Sequence, residues 1–293
     1  MDFGRLVTAM VTPFDEDGNL DEPGLSVLID HLIATGTTAI VVSGTTGESP
    51  TLSHDEKLRL FARTVQCVRG RVPVIAGTGG NNTKETIALS KEAAALGVDG
   101  LLLVAPYYNR PTQDGLYAHF AAVADAVPLP IMVYNIPGRT AVNIDVSTLM
   151  RLAQIPNIVA VKESSGDFSQ IARIAAEKPD DFLLYSGDDK FTLPILALGG
   201  YGVVSVASHV AGQEMQAMLN AFVQGDVRTA AAWSGRLLPL FDALFRVTSP
   251  APVKKALQLL GLPGGGVRLP LVEAPRHVED ELRRELVRLG KLG

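Results

Sequence analysis

Lys162 stands where an amine could do chemistry. It ends the run Asn157-Ile-Val-Ala-Val-Lys162, and Glu163-Ser-Ser-Gly166 follows at once. β-Branched residues between Pro156-Asn157 and a Ser-Ser-Gly turn predict a short strand over 158–161. Alternation puts Ala160 and Lys162 on one face, Val159 and Val161 on the other. With helices over the valine face, the ammonium points inward, where it must be paired or lose its proton. A neutral amine can form a Schiff base with a carbonyl. The alternative is a strand-end lysine that lifts its head into water. Tyr134 shares parity with Met132 on another predicted strand, so its phenol points inward too. There it either passes protons to a reacting amine or sits as a satisfied core tyrosine. Arg139, in the loop that follows, could hold a carboxylate in bidentate geometry or simply lie on the surface.

The elements that position these groups alternate along the chain. Predicted strands cover 6–10, 39–42, 74–76, 101–104, 131–134, 158–162, 182–185 and 202–206. Helices follow over about 22–34, from 53, 82–97, 112–126, 145–153, 167–177, 191–198 and 212–223. Ser53 and Glu56 form a capping box. Eight strand–helix pairs with short links, apolar on both strand faces, imply a parallel sheet. Eight is the number that closes a TIM (β/α)8 barrel, with a doubly wound open sheet as the alternative. After Gly225 the strands stop, and helices are expected over 227–245, 250–260 and 278–292. The domain reading is a barrel over 1–224 and a C-terminal helical extension over 225–293, packed on the barrel.

Polar and glycine-rich stretches collect at the predicted strand ends, where barrels place their chemistry. They are Ser43-Gly-Thr-Thr-Gly-Glu-Ser49, Gly77-Thr-Gly-Gly-Asn-Asn82, Pro106-Tyr-Tyr-Asn109, Tyr134-Asn-Ile-Pro-Gly-Arg-Thr140 and Ser186-Gly-Asp-Asp189. Each alone could be an ordinary turn. The first lacks the lysine of a Walker loop, and the second lacks the third glycine of a dinucleotide fingerprint. Small residues in the second could let a carboxylate approach backbone N–H groups.

The 293 residues are 47% hydrophobic and 19% charged, with net charge −5. No basic cluster suggests nucleic acid. No apolar run reaches the ~18 residues of a membrane span, and the start shows no signal-peptide pattern. The expected compartment is the cytoplasm. Cys67 is the single cysteine, expected to be a small buried hydrophobe in mid-helix. The five histidines have no metal-ligand spacing, so neither metal nor cofactor is expected.

These stretches in order, together with Thr8-Ala-Met-Val-Thr-Pro-Phe14, Val161-Lys-Glu163 and Pro250-Ala-Pro-Val-Lys254, resemble the dihydrodipicolinate synthase family over nearly the whole chain. The resemblance implies a homotetramer, a dimer of dimers, that condenses pyruvate with aspartate semialdehyde on the diaminopimelate and lysine pathway. It implies that Lys162 forms the Schiff base. Tyr134, Thr45 and Tyr108 would relay protons, with Tyr108 reaching in from a neighbouring subunit. Thr46 would hold the pyruvate carboxylate and Arg139 that of the semialdehyde. Gly187 and Val204 would line the pocket through their backbones. A lysine effector site would use Ser49, His54, Asn81, Glu85 and Tyr107. Lys57 stands where inhibited bacterial relatives carry His, and could repel a cationic effector or occupy Glu85 itself. His209 stands where relatives commonly carry Asn, and could touch the pocket rim or cap the next helix. Rival readings are a sister aldolase for N-acetylneuraminate or a keto-deoxy sugar acid, a metal-dependent barrel hydrolase, and a non-catalytic pyruvate-binding barrel. Gly-Arg-Thr140 argues against the first, histidine spacing against the second, and the retained Lys162, Tyr134, Thr45 and Tyr108 against the third.

Overall fold

The computed structural model describes residues 2–293. Strands β1 (Leu6–Ala9), β2 (Ala39–Val42), β3 (Val74–Gly77), β4 (Gly100–Val104), β5 (Ile131–Asn135), β6 (Ile158–Glu163), β7 (Leu183–Ser186) and β8 (Gly202–Ser205) form one closed parallel barrel in sequence order. β8 pairs with β1, which rules out the open doubly wound sheet. Helices α1 (Glu22–Ala34), α2 (His54–Val68), α3 (Thr83–Ala95), α4 (Gln113–Ala126), α5 (Pro137–Thr140), α6 (Val146–Leu152), α7 (Phe168–Glu177), α8 (Thr192–Ala197) and α9 (Ser208–Val223) surround it.

Local chemistry sets the helix starts. Asp21, Ser53, Asn82, Thr112 and Asp167 each accept a hydrogen bond from a first-turn amide, so orphan donors are satisfied where the chain turns back from the strands. Ser53 and Glu56 make the reciprocal capping box. Strand residues divide into two layers. Val7, Val41, Ile75, Met132, Ala160 and Val204 fill the barrel interior, while Ile40, Leu101, Val133 and Val161 face the helices.

Four local expectations are corrected. Val159 does not share a face with Val161. The register jumps between Ile131 opposite Ile158 and Met132 opposite Ala160, so Val159 is an extra residue and packs against the interior layer. Arg139 lies in the one-turn helix α5 rather than a loop. α9 begins at Ser208, four residues early, and is interrupted at Ala211 (φ −136°). Cys67 is one residue from the end of α2 and half-buried.

Three further helices, α10 (Val227–Leu244), α11 (Ala251–Leu259) and α12 (Arg276–Arg288), follow the last strand. α10 lies along α9, and α12 bridges α10 and α11. Leu237, Phe241, Leu257, Val278, Leu282 and Leu286 belong to the same apolar cluster as the outer barrel layer. Each buried side chain of this size contributes about 1.5–3 kcal/mol. Among the described residues, no helix is long and apolar enough to cross a membrane.

Candidate active site

β5 and β6 bring the amine and the phenol together. Tyr134 and Lys162 are register partners on adjacent parallel strands, so their side chains leave the sheet on the same side. Lys162 Nζ lies 4.0 Å from the centre of the Tyr134 ring. Lys162 is only 6% exposed. Burial lowers its pKa from 10.5 to about 7; buried Asp189 opposes that shift and the Arg139 charge adds to it. A lysine titrating there is about half neutral at pH 7. Burial pushes the Tyr134 phenol up to about 12, so it keeps its proton as a donor at neutral pH.

Neighbouring strand ends hold this pair in place. A Cβ on Gly187 would collide with the Ser164 hydroxyl and stand 2.9 Å from Lys162 Cε, so only glycine leaves room for the lysine stem. Asp189 accepts hydrogen bonds from Ser205 Oγ at 2.5 Å and from the Val206 and Ala207 amides at 3.0 and 2.9 Å. It thereby fixes the end of β8, and burial raises its pKa to about 6. On the outer side of β6, buried Glu163 accepts from Asn135 Nδ2 at 3.0 Å and the Ser165 amide at 2.6 Å.

A cavity of about 340 Å³ opens against Tyr134, and Lys162 lies behind that ring rather than in the lining. That volume suits a small organic acid. Thr45, Tyr134, Ile136, Arg139 and Thr140 line one part of it. Ser49, Asn81, Glu85, Tyr107 and Lys57 line another, so four of the five expected effector residues share the space. His54 does not: it is exposed and lies 2.7 Å from Glu92. The Glu85 carboxylate is taken by Asn82 Nδ2 at 2.8 Å rather than by Lys57. Thr46 is buried and does not line the cavity, and Val204 lies in the interior layer. Tyr108 is 88% exposed at φ +70° and does not join Lys162 within the chain. Gly77 and Gly79 are explained by neighbouring backbone, since a Cβ would meet Ser43 O and Val104 N. That contact, rather than a ligand, requires the glycines.

His209 neither borders the cavity nor caps a helix. It is fully buried. Its Nδ1 lies 2.8 Å from Val206 O, and its Nε2 accepts the Val11 amide at 3.1 Å, which assigns the proton to Nδ1. It ties the exit of β1 to that of β8, and burial lowers its pKa to about 4. Sequence reasoning gave no role to Asp189, Glu163 or the Ser164 hydroxyl; their place just after strand ends was the available signal.

A closed barrel that presents a buried, half-neutral lysine against a phenol at the C-terminal mouth defines a lyase of the Schiff-base aldolase type. Among the described residues no three or more His, Cys, Asp or Glu are grouped to hold a metal ion. The chain belongs to the dihydrodipicolinate synthetase family, whose model matches residues 2–289. The 4-hydroxy-tetrahydrodipicolinate synthase of Moorella thermoacetica is 56% identical over 292 residues, 100% of each chain to the nearest per cent. The dihydrodipicolinate synthase of Bacillus anthracis superposes with a TM-score of 0.96 at 51% identity over 98% of each chain. That of Cyanidioschyzon merolae, solved with lysine bound, gives 0.97 at 49% identity over 99% of each.

Proposed function

We propose that the chain is a 4-hydroxy-tetrahydrodipicolinate synthase that joins pyruvate to L-aspartate 4-semialdehyde through a Schiff base on Lys162. The observation that carries this is the Lys162 amine, buried, about half neutral at pH 7 and 4.0 Å from the Tyr134 ring. The amine attacks the ketone carbon of pyruvate, and water leaves to give the imine. Loss of a methyl proton gives the enamine, a carbon nucleophile that needs no metal. Its carbon attacks the aldehyde of the semialdehyde, and the new alkoxide takes a proton. The acceptor's own amine then displaces Lys162 and closes the ring.

Each proton step needs a placed acid or base. Tyr134 and Thr45 supply two hydroxyls from within the cavity. Tyr108, exposed on its own chain, serves a neighbouring subunit, and the working unit is a homotetramer built as a dimer of dimers. Thr46 holds the pyruvate carboxylate, Arg139 grips that of the semialdehyde, and Gly187 and Val204 shape the floor. Ser49, Asn81, Glu85 and Tyr107 form an effector region for lysine, with His54 at its edge. The enzyme works in the cytoplasm.

The test pairs two measurements. Borohydride with pyruvate should leave one reduced pyruvate on the peptide carrying Lys162. Turnover should be seen with pyruvate plus aspartate semialdehyde and not with N-acetylneuraminate. Labelling at another residue, or cleavage of the sugar acid alone, overturns the assignment.

A further inference from the structure

The loop that carries Thr45 and Thr46 is held in an unusual backbone shape. Left-handed residues bracket it, Ser43 and Glu48, each at φ +57°. Such a conformation costs a side-chain-bearing residue free energy and persists only where surroundings enforce it. Part of the enforcement is local: the Glu48 amide donates to Thr45 O at 3.1 Å, and the Ser49 amide to Gly44 O at 3.2 Å. Thr12 Oγ1 donates to Gly47 O at 2.6 Å.

The remainder comes from more than two hundred residues away. Glu48 is 2% exposed and Lys254, on α11, is 1% exposed. Glu48 Oε1 lies 2.6 Å from Lys254 Nζ, and Glu48 Oε2 accepts the Arg268 amide at 2.9 Å. Lys254 also donates to Gly266 O at 2.7 Å, which fixes the segment that brings Arg268 in. The Arg268 guanidinium donates to Glu56 at the start of α2 and to the Gly18 and Thr51 carbonyls. Both cations lie over the Phe14 ring, at 4.2 and 4.3 Å from its centre. Gly265, at φ +64°, allows this closeness, because a Cβ there would strike the Phe14 backbone. Two acids and two bases thus make a neutral cluster that joins the C-terminal extension to the C-terminal side of the Thr45–Thr46 loop and to the segment that follows β1. A buried pair of this kind is weak evidence for stability, because desolvation offsets its attraction, whereas a register or positioning role is its best-attested use.

We propose that Glu48 and Lys254 are positioning residues. The extension sets Thr45 for proton relay and Thr46 for the pyruvate carboxylate by locking Glu48 in its left-handed conformation. The proposal rests on the Schiff-base reading of the site. It gives the Pro250-Ala-Pro-Val-Lys254 segment a task in catalysis that packing alone would not require.

Removing one partner strands a buried charge and risks unfolding, so the test removes both charges: Glu48→Gln with Lys254→Met, in the full chain. Wild type assayed beside it shows whether the Schiff-base reading stands. The expected result is a thermal midpoint near wild type, with kcat down at least tenfold and the pyruvate KM raised. In a Thr45→Val/Thr46→Val background, the same double change should slow borohydride-trappable adduct formation less than twofold further, because both sets act through the same hydroxyls. If kcat and KM match wild type, or if the two losses simply multiply, the positioning role is overturned. If the double variant does not fold, Lys254→Arg is decisive. It retains the charge but shifts the anchor point, and an unchanged kcat in that variant overturns the proposal.

Discussion

The low pKa of Lys162 makes a pH experiment quantitative. Desolvation takes the amine from 10.5 to about 7. At pH 8 such an amine is about 90% neutral, against about 0.3% for an ordinary lysine, a gain of about 300-fold in nucleophile. The rate of adduct formation with pyruvate, followed by rapid borohydride quench and mass spectrometry, should rise about tenfold per pH unit below pH 7 and level off above about pH 8. Stability must carry the opposite face of the same shift. The unfolded lysine binds a proton up to pH 10.5 and the folded one only to about 7, so stability attributable to this group rises with pH across that window. Below pH 7 the buried ammonium costs about 5 kcal/mol, and above 10.5 it costs nothing. Lys162→Met keeps the volume and removes the charge. Its urea midpoint should exceed that of wild type at pH 6.5, and the difference should shrink towards pH 10. An adduct rate that keeps climbing to pH 10, or a midpoint difference independent of pH, would refute the burial argument.

Arg139→Ala should lower kcat/KM for aspartate semialdehyde by about 10- to 150-fold, the loss of a charge-assisted pair, and should affect pyruvate adduct formation far less; equal losses in both steps would contradict its role. His209 is buried neutral at a pKa of about 4 against 6.5 unfolded, so its share of stability is present above 6.5 and lost as pH falls towards 4. His209→Gln should flatten the urea midpoint's dependence on pH across that window, and an unchanged slope would remove His209 as its source. Lys57, partly desolvated in the cavity wall beside Glu85, should leave wild type weakly inhibited or uninhibited by L-lysine, and Lys57→His should raise sensitivity. Tight inhibition of wild type by L-lysine would refute this.

The barrel was legible because its strands are buried on both faces and α1, α2, α3, α4, α7 and α10 begin at side-chain caps, so hydrophobic period and cap chemistry agree over much of the chain. The placement of Lys162 was legible for a narrower reason. Ala160 and Lys162 both lie on the near side of the irregularity, so the extra residue Val159 leaves their parity undisturbed. Counted from Ile158, the same rule would have turned the lysine outward. What stayed illegible depends on contacts between distant strand ends. No local pattern tells that His209 accepts from Val11, or that Glu48 meets Lys254. Nor could a single chain's sequence place Tyr108, whose exposed ring has its proposed use only against another copy. The groups that do the chemistry could be read from their residue types and from the strand ends that carry them. The groups that aim them are ordinary polar side chains. Their role emerges only once closure of the barrel, β8 onto β1, brings Val206 and Val11 within reach of the one His209 ring and the extension against Glu48 of the Thr45–Thr46 loop.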